Sequence, residues 1–389
     1  MMRLGDICTI VSGSTPKSNI PEYWDGDVKW ITPAELNEGT YIINDSVRHI
    51  TELGVVKTGL KPFPKGTVIL SSRAPIGKTA IAGCEMYCNQ GFKNLICSDK
   101  IDPRYLYWFL TCNTEYLNSL GRGATFKEIS KEIVANIEIP LPALEQQISV
   151  AEKFEKISEL IALRKEQLAK LDQLVKSRFI ELFGDPMANP MGWDRVNISA
   201  VVGGKVSNGF FAKRDDYCDD GNVKVLGVAH VVNRMYSNIE DLPTTNGTET
   251  DVAKYSVKYG DMLFCRSSLV AAGIGKASIV PQGTPNNVLF ECHVIRLPLD
   301  LDKCVPEFMQ VLSTTEYFRN QVIAQSKTAT MTTIGQDGIL KTDIILPPLE
   351  MQKQFLQFVE QTDKSKLAIQ QSLDKLELLK KSLMQEYFG

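Results

Sequence analysis

Two segments of the chain carry apolar residues at spacings of three, four and seven, and neither has glycine or proline in its interior. They cover residues 143–183 and 349–388, and the spacing predicts two long helices. Each would begin after prolines (Pro140 and Pro142, or Pro347 and Pro348), because proline suits a helix start and opposes a helix interior. A helix of about 40 residues is about 60 Å long and cannot bury such a stripe alone, so we expect the two helices to pair as a coiled coil. The alternative is two helices within one ordinary core. The expected seam residues are Ile161, Leu168, Leu171, Val175, Leu182, Ile369, Leu373, Leu376, Leu383 and Tyr387.

The rest of the chain has short apolar runs separated by glycine and proline. Runs such as 67–70 and 262–264 predict strands, and helices are expected near 103–113 and 306–313. The predicted fold class is α+β, with two tandem α/β globular parts that are each followed by a long helix. The predicted boundaries are 1–142, 143–184, 185–348 and 349–389.

The two halves of the chain are an internal repeat. One constant shift aligns residues 124–184 with 329–389 without a gap. Earlier segments match with gaps: 26–31 with 221–226, 65–70 with 259–264, and 77–81 with 275–279. The same fold is therefore expected twice. Matching points include Ala124-Thr125 with Ala329-Thr330, Ile129 with Ile334, Pro142 with Pro347, Leu144-Glu145 with Leu349-Glu350, and Phe183-Gly184 with Phe388-Gly389.

The composition is that of a globular protein, with 43% hydrophobic and 23% charged residues. No apolar run is long enough to predict a membrane span, and the first ten residues lack a signal pattern. The nine cysteines are an odd number scattered along the chain, which favours reduced thiols. We therefore expect a cytoplasmic protein without a membrane contact.

The net charge of −3 at first disfavours nucleic acid as a partner, because phosphates are neutralised by Lys and Arg. The local distribution changes this interpretation. Residues 53–84 contain five basic residues and no acidic one, and 262–290 contain Arg266 and Lys276 without an acid. A chain of this charge can bind DNA through one basic face, especially when partners add positive charge.

Motifs for catalysis are incomplete. The segment 72–79 resembles a phosphate-binding loop, but Ser72 replaces its first glycine and Pro75 removes a backbone donor. The matching turn of the second half has Ala277 where a hydroxyl would hold magnesium. Three histidines and the Cys84/Cys88 pair form no metal-ligand pattern. We therefore expect no catalytic site, no metal and no cofactor in this chain.

Polar and basic residues in loops of the globular parts are the candidate DNA contacts. Amides pair with adenine, Arg and Lys with guanine, and Thr with phosphate. Any one of them could equally be a turn former or a cap, so the hypothesis concerns the set. The candidates are Thr15, Lys17, Arg73, Lys78, Gln90, Lys93, Arg122, Thr125, Lys213, Arg214, Arg266, Lys276, Lys327 and Thr330.

Over its whole length the chain resembles the specificity subunit of type I restriction-modification systems. The resemblance is carried by the tandem architecture, the junctions at 137–147 and 344–352, and the Phe-Gly pair that ends each long helical segment. Segments 71–77 and 89–91 also look typical of that family, whereas 267–275 departs from the first half.

The resemblance implies a DNA-recognition subunit without catalytic activity. Each globular part would be a target-recognition domain that reads half of a bipartite double-stranded site, and the helices would pair antiparallel and fix the spacer. Two modification subunits would bind S-adenosylmethionine and methylate adenine, and restriction subunits would use ATP and magnesium in defence against phage. The alternatives are a specificity module of another restriction type, an orphan DNA-binding subunit, or a nucleotide-dependent enzyme that uses Lys78.

Overall fold

The computed structural model describes residues 1–37, 39–73, 75–123 and 127–389. Contacts divide the chain into two units. Unit 1 consists of Met1–Lys165 and Gln371–Gly389, and unit 2 consists of Glu166–Gln370. Each unit therefore contains one globular part and a portion of each long helical segment. The finer division at residues 142, 184 and 348 remains a prediction.

Unit 1 is a mixed α/β structure. Its strands are β1 (Met2–Arg3), β2 (Cys8–Ser12), β3 (Trp24–Ile31), β4 (Ile42–Ile43), β5 (Arg48–Ile50), β6 (Val68–Leu70), β7 (Thr79–Ala82), β8 (Tyr87–Cys88), β9 (Lys93–Cys97) and β10 (Glu138–Ile139). Its helices are α1 (Leu4–Ile7), α2 (Glu52–Thr58), α3 (Pro103–Cys112), α4 (Thr114–Ser119), α5 (Lys131–Ala135) and the first part of α6 (Leu144–Phe183). Turns of 3₁₀ helix lie at Pro21–Tyr23 and Pro33–Glu35. The sheets have the strand orders β2-β9-β6-β7-β4, β5-β3-β8 and β1-β10.

Unit 2 has a corresponding set of elements. Its strands are β11 (Arg195–Asn197), β12 (Ser207–Asn208), β13 (Val223–Leu226), β14 (Thr244–Thr245), β15 (Asp261–Cys265), β16 (Ser267–Ser268), β17 (Ala277–Ile279), β18 (Val288–Phe290), β19 (Val294–Pro298), β20 (Lys327–Thr328), β21 (Thr332–Thr333) and β22 (Asp343–Ile345). Its helices are α7 (Val228–Val231), α8 (Glu249–Tyr255), α9 (Pro306–Thr314), α10 (Glu316–Ala324), α11 (Gln336–Leu340) and the first part of α12 (Leu349–Phe388). Turns of 3₁₀ helix lie at Ile198–Val201, Arg214–Asp216 and Ala271–Gly273. The sheets have the strand orders β12-β19-β15-β17, β14-β13-β18, β16-β21-β20 and β11-β22.

The strand orders show that unit 2 repeats the fold of unit 1. The order β2-β9-β6-β7 corresponds to β12-β19-β15-β17, and β5-β3-β8 corresponds to β14-β13-β18. The glycines of the loosely matching segments also agree. Gly66 and Gly260 have φ of 86° and 94°, and Gly77 and Gly275 have φ of 95° and 62°. Only glycine adopts such angles readily, so the same turns select it in both units.

A buried glutamine explains the repeated junction at the start of each long helix. The Gln147 side chain accepts from the Asp102 backbone N–H at 2.9 Å and donates to the carbonyls of Lys100 and Pro142. Gln352 accepts from Val305 N–H at 2.9 Å and donates to the Lys303 and Pro347 carbonyls. Since an unpaired buried amide is costly, this arrangement fixes the start of each long helix against the start of α3 or α9. The fixed spacing of proline and glutamine in both junctions follows from it.

Within each unit, the two helix segments run antiparallel. In unit 1, Phe154 stacks on Phe388 with ring centroids 5.7 Å apart, and Lys165 pairs with Glu377 at 3.1 Å. Along these contacts the residue number rises on α6 while it falls on α12. The predicted α+β fold with two long helices is confirmed.

The predicted seam is incomplete because aromatic rings, not leucines, provide its most buried contacts. In unit 2, Phe179 and Phe183 lie 5.6 and 5.7 Å from Phe355. Of the predicted seam residues, Val175 and Leu373 are buried. The half-buried ones are Ile161, Leu168, Leu171, Leu182, Ile369, Leu376, Leu383 and Tyr387.

A buried carboxyl in unit 2 should make stability depend on pH. Glu307 is 2% exposed and accepts hydrogen bonds from the hydroxyls of Tyr236 and Tyr259 at 3.1 Å. Burial raises the pKa of Glu307 above its ordinary value of 4.5. The stability linked to its neutral form is therefore present below that ordinary value and is lost as pH rises through the folded-state pKa.

Glu307→Gln removes this titration and keeps the side-chain shape. We expect the free energy of unfolding of the variant, relative to the unsubstituted protein, to increase as pH rises from below 4.5 toward neutrality. Urea denaturation of both proteins across that range measures the difference between their free energies of unfolding. The contributions of all other ionisable groups, which both proteins share, cancel in this difference. A difference independent of pH would contradict the assignment.

Candidate nucleic-acid interface

In unit 1, the segments at Arg73, Arg122 and Glu128 form a loop cluster around the Glu128 carboxylate. The backbone of Glu128 pairs with both Arg73 and Arg122. Its side chain lies 3.8 Å from the Arg73 guanidinium and 3.1 Å from the Lys93 ammonium. Arg122 is exposed and Arg73 is half-exposed. The fold therefore places two candidate arginines on either side of Glu128, which orients one of them.

Lys93 has a different environment from the other candidates. It is buried, and its ammonium donates to Ser72 Oγ at 3.2 Å and to Glu128. A lysine with two protein acceptors and little exposed surface stabilises the loop cluster and is poorly placed to reach DNA. We therefore do not include Lys93 in the interface proposed below.

The other candidates of unit 1 lie in neighbouring turns. The Thr15 hydroxyl donates to the Gln90 side chain, which joins two exposed candidates, and Lys17 is exposed nearby in the chain. Lys78 is half-buried and donates to the Pro33 carbonyl at 3.1 Å. Thr125 lies outside the described residues.

Unit 2 builds the corresponding loop cluster with a small sheet. Strand β21 pairs with both β16 and β20, so the segment after Arg266 lies against the segment that contains Lys327. Arg266 donates to the Cys292 carbonyl at 3.1 Å. Lys327 and Thr330 are exposed, and His293 contacts Ser267 at 3.2 Å.

The backbone hydrogen bonds of the two loop clusters are equivalent. Ser72 N–H donates to the Gly91 carbonyl at 2.7 Å, and Arg266 N–H donates to the His293 carbonyl at 2.8 Å. Ile129 N–H donates to the Ser72 carbonyl at 3.0 Å, and Ile334 N–H donates to the Arg266 carbonyl at 3.1 Å. The conserved part of the loops is thus the hydrogen-bonded frame, while the side chains that it presents differ.

The remaining candidates of unit 2 lie apart from this sheet in sequence. Lys213 and Arg214 are exposed at a 3₁₀ turn in which Lys213 N–H donates to the Asp216 carboxylate at 2.7 Å. Lys276 is half-buried and donates to Asn233 Oδ1 at 2.7 Å.

Sequence reasoning missed an apolar tip on the loop cluster of unit 2. Leu269 is 83% exposed and Val270 is 62% exposed, directly after β16. Apolar side chains next to basic ones can contact thymine methyl groups or base steps. The signal was the longer segment between Arg266 and Gly275, which has no counterpart of equal length between Ser72 and Gly77.

Two cysteine thiols of unit 1 are poorly suited to nucleophilic catalysis. Burial raises the pKa of the Cys88 and Cys112 thiols to about 12, which disfavours the nucleophilic thiolate. In the described ranges, no group of three or more His, Cys, Asp or Glu is arranged to hold a metal ion. A search of the same residues for a helix that is both long and apolar enough to span a membrane finds none.

Comparison with known proteins decides the family. Residues 1–173 and 190–378 match the type I restriction modification DNA specificity domain. The chain belongs to this family. Its members are the non-catalytic specificity subunits of type I restriction-modification systems, which confirms the resemblance and the expectation of a subunit without its own catalysis.

Curated relatives are similar over different shares of the chain. The MjaIX specificity subunit of Methanocaldococcus jannaschii is 35% identical over 249 residues, which are 59% of this chain and 57% of that protein. The MjaVIII subunit of the same organism is 23% identical over 99% of this chain and 90% of its own length. The EcoKI specificity subunit of Escherichia coli K12 is 23% identical over 91% of this chain and 80% of its own.

Solved structures agree with the fold. A chain from a type I restriction-modification system matches with a TM-score of 0.61, 18% identity, and coverage of 100% of this chain and 96% of that one. The S subunit from M. genitalium matches with a TM-score of 0.56, 12% identity, and coverage of 100% and 95%.

Proposed function

We propose that each globular part reads one half of a bipartite double-stranded DNA site, and that the paired helices set the spacer and dock two modification subunits. The proposal is supported by the two loop clusters, in which the same hydrogen-bonded frame presents different side chains. A frame repeated with different contents is suited to reading two different half-sites at a set separation, as related modules do elsewhere.

The proposed contacts combine exposed cations for phosphates with amides and guanidinium groups for base edges. In unit 1 these are Thr15, Lys17, Arg73, Gln90 and Arg122, together with the half-buried Lys78. In unit 2 they are Lys213, Arg214, Arg266, Lys276, Lys327 and Thr330. The near-neutral charge of the chain fits this arrangement if the modification subunits share the DNA footprint.

The partners would supply the chemistry. In this proposal, modification subunits bind S-adenosylmethionine and methylate an adenine taken out of the duplex, and restriction subunits supply ATP- and magnesium-dependent cleavage in the cytoplasm. This chain would hold none of these cofactors.

Methylome sequencing of the host with and without the gene tests the function. We expect one bipartite adenine-methylation motif to disappear with the gene, which would give both half-sites and the spacer length. If no motif changes, a pull-down separates the remaining cases. A captured methyltransferase indicates a silent system, and its absence supports an orphan subunit.

Removal of one exposed cation from each loop cluster should weaken the corresponding half-site. We expect Arg122→Ala and Lys327→Ala each to lower affinity several-fold and to reduce the slope of log affinity against log salt by about one, as for one lost phosphate contact. Fluorescence anisotropy of the assembled modification complex on its target duplex, over a series of salt concentrations, measures both quantities.

The matched control is Lys341→Ala, an exposed lysine at the end of α11 and outside the loop clusters. It should leave affinity and salt slope unchanged. Equal losses of affinity in all three variants would mean that binding depends only on the overall charge of the chain, and would contradict the proposed interface.

A further inference from the structure

Unit 2 contains a cavity of about 410 Å³ lined by the long helices, by α9 and α10, and by the turn before β17. Five of its lining residues are basic and one is acidic. They are Lys176, Arg234, Lys276, Arg319, Lys366 and Asp172. None of the sequence motifs pointed to this cavity, because its charges come from segments far apart in the chain.

Arg319 is half-buried at the cavity. Its Nη2 donates to the Ala272 carbonyl at 3.2 Å, while its buried Nη1 has no hydrogen-bond partner within the described part of the chain. Burial lowers the pKa of Arg319, which reflects the cost of keeping this charge away from water. A desolvated guanidinium with a free N–H gains most from an anionic partner that can accept a charge-assisted hydrogen bond.

The acidic side chain of the cavity does not neutralise Arg319. Asp172 pairs with Lys366 at 2.7 Å, and Asp363 lies 3.6 Å from the same ammonium. Among the described residues, Lys366 is the one lining cation that forms an ion pair with a carboxylate. The other four leave an excess of positive charge in the cavity.

The other cations are placed to converge on a ligand. Lys276 is held by Asn233 Oδ1 at 2.7 Å, which fixes its ammonium at the cavity wall. Arg234 reaches the Val232 and Ala229 carbonyls at 3.4 and 3.3 Å, so it remains available to a stronger acceptor. Lys176 is exposed on α6 and can close over the cavity from outside.

The repeat shows that the fold does not require this charge. The matching Thr-Glu-Tyr segments at 114–116 and 315–317 place Asn118 at the position of Arg319. The surroundings correspond, because Asn118 Nδ2 donates to the Ile76 carbonyl at 3.2 Å and Arg319 Nη2 donates to the Ala272 carbonyl at 3.2 Å, each shortly before the glycine of the repeated turn. Unit 1 therefore forms the same packing with a small neutral side chain.

We propose that this cavity binds a phosphate group, with Arg319, Lys276 and Lys176 as its principal donors. The phosphate can be a free phosphate or nucleotide, or a backbone phosphate of bound DNA that enters beside the Gly275-Lys276 turn. Because Arg319 also holds the Ala272 carbonyl, an occupied cavity would fix the turn that follows Leu269 and Val270. Phosphate binding in this cavity would therefore be a function in addition to the recognition of base edges.

Calorimetric titration of pyrophosphate into the purified full chain at low salt tests the proposal. We expect saturable binding of one equivalent, weakened at least about tenfold by Arg319→Met, since the variant loses a charge-assisted hydrogen bond to the anion. Lys176→Gln should weaken it several-fold. Lys381→Gln, the same residue type at the repeat position of Lys176, should leave it unchanged. Absence of saturable binding, or equal weakening by Lys381→Gln, overturns the proposal.

Thermal unfolding separates binding from folding. Arg319→Met removes a desolvated charge and fills similar volume, so we expect no loss of thermal stability without ligand. If stability falls, the exposed Lys176→Gln variant decides, because unchanged pyrophosphate affinity in that variant would then overturn the site.

A second titration with target duplex present identifies the source of the phosphate. Displacement of pyrophosphate indicates that a DNA phosphate occupies the cavity, and simultaneous binding indicates a separate small anion. Failure of the methylome experiment leaves the direct titration interpretable, since that measurement does not depend on a known target.

Discussion

Deletion of residues 162–168 together with 368–374 is expected to shorten the spacer between the two half-sites by up to about 3 base pairs, with both half-sites unchanged. Each deletion removes one heptad, or about 10 Å of helix, against about 3.4 Å per base pair. Helix α6 continues through Lys165 and Glu166, where unit 1 passes into unit 2, so its length is a property shared by both units.

A heptad is the unit to remove because it preserves the seam. Seven residues make nearly two turns of helix. The residues that follow Ile161 after the deletion therefore keep the helix face that they had before, and the same holds for the facing segment of α12. Deletion from one helix alone would offset the antiparallel pairs, and we expect it to destabilise the protein rather than change the spacer.

Methylome sequencing of cells that carry the double deletion measures spacer and half-sites together. The control is a variant of unchanged length in which exposed residues of the same two heptads, such as Leu163 and Ala368, are replaced by glutamine. It should methylate the original motif. An unchanged spacer in the deletion variant, with methylation retained, would contradict the proposal that the helices set the spacer.

The long helices could be predicted from sequence because their signals are local. Proline before the start, glutamine at a fixed distance and an uninterrupted apolar stripe specified α6 and α12 within a residue of their ends. The same locality explains what was missed. The stripe could not show that Phe154, Phe179 and Phe355 provide the most buried contacts, because their partners lie on other elements.

The candidate site was less predictable because its geometry depends on long-range pairing. Arg73 and Arg122 are far apart in sequence, and only their shared pairing with Glu128 brings them together. Lys93 was a candidate DNA contact because it is a basic residue in a polar segment beside amides, but the structure shows that Glu128 holds its ammonium inside the loop cluster. Composition alone cannot distinguish a lysine that orders a loop from one that faces a ligand.

Phe388→Ala is expected to lower the free energy of unfolding of unit 1 by about 3–5 kcal/mol, the usual cost of truncating a buried phenylalanine. Its ring packs against Tyr105, Phe109 and Phe154 with centroid distances of 5.2, 5.8 and 5.7 Å. The ring therefore joins the end of α12 to both α3 and α6. Hydrogen exchange resolved along the chain should show the loss in α3 and the first part of α6, while the Phe179 and Phe355 cluster of unit 2 keeps its protection.

Leu378→Ala on the same helix is the matched control, because that side chain is 67% exposed and its truncation should change stability by no more than about 0.5 kcal/mol. A second variant, Phe388→Leu, retains much of the apolar contact and should recover part of the loss. If Phe388→Ala proved as mild as Leu378→Ala, the last turn of α12 would contribute little to unit 1. A loss of several kcal/mol would instead make the repeated Phe-Gly end a structural anchor. Methylation in cells should then fall with Phe388→Ala, although the residue lies outside both loop clusters.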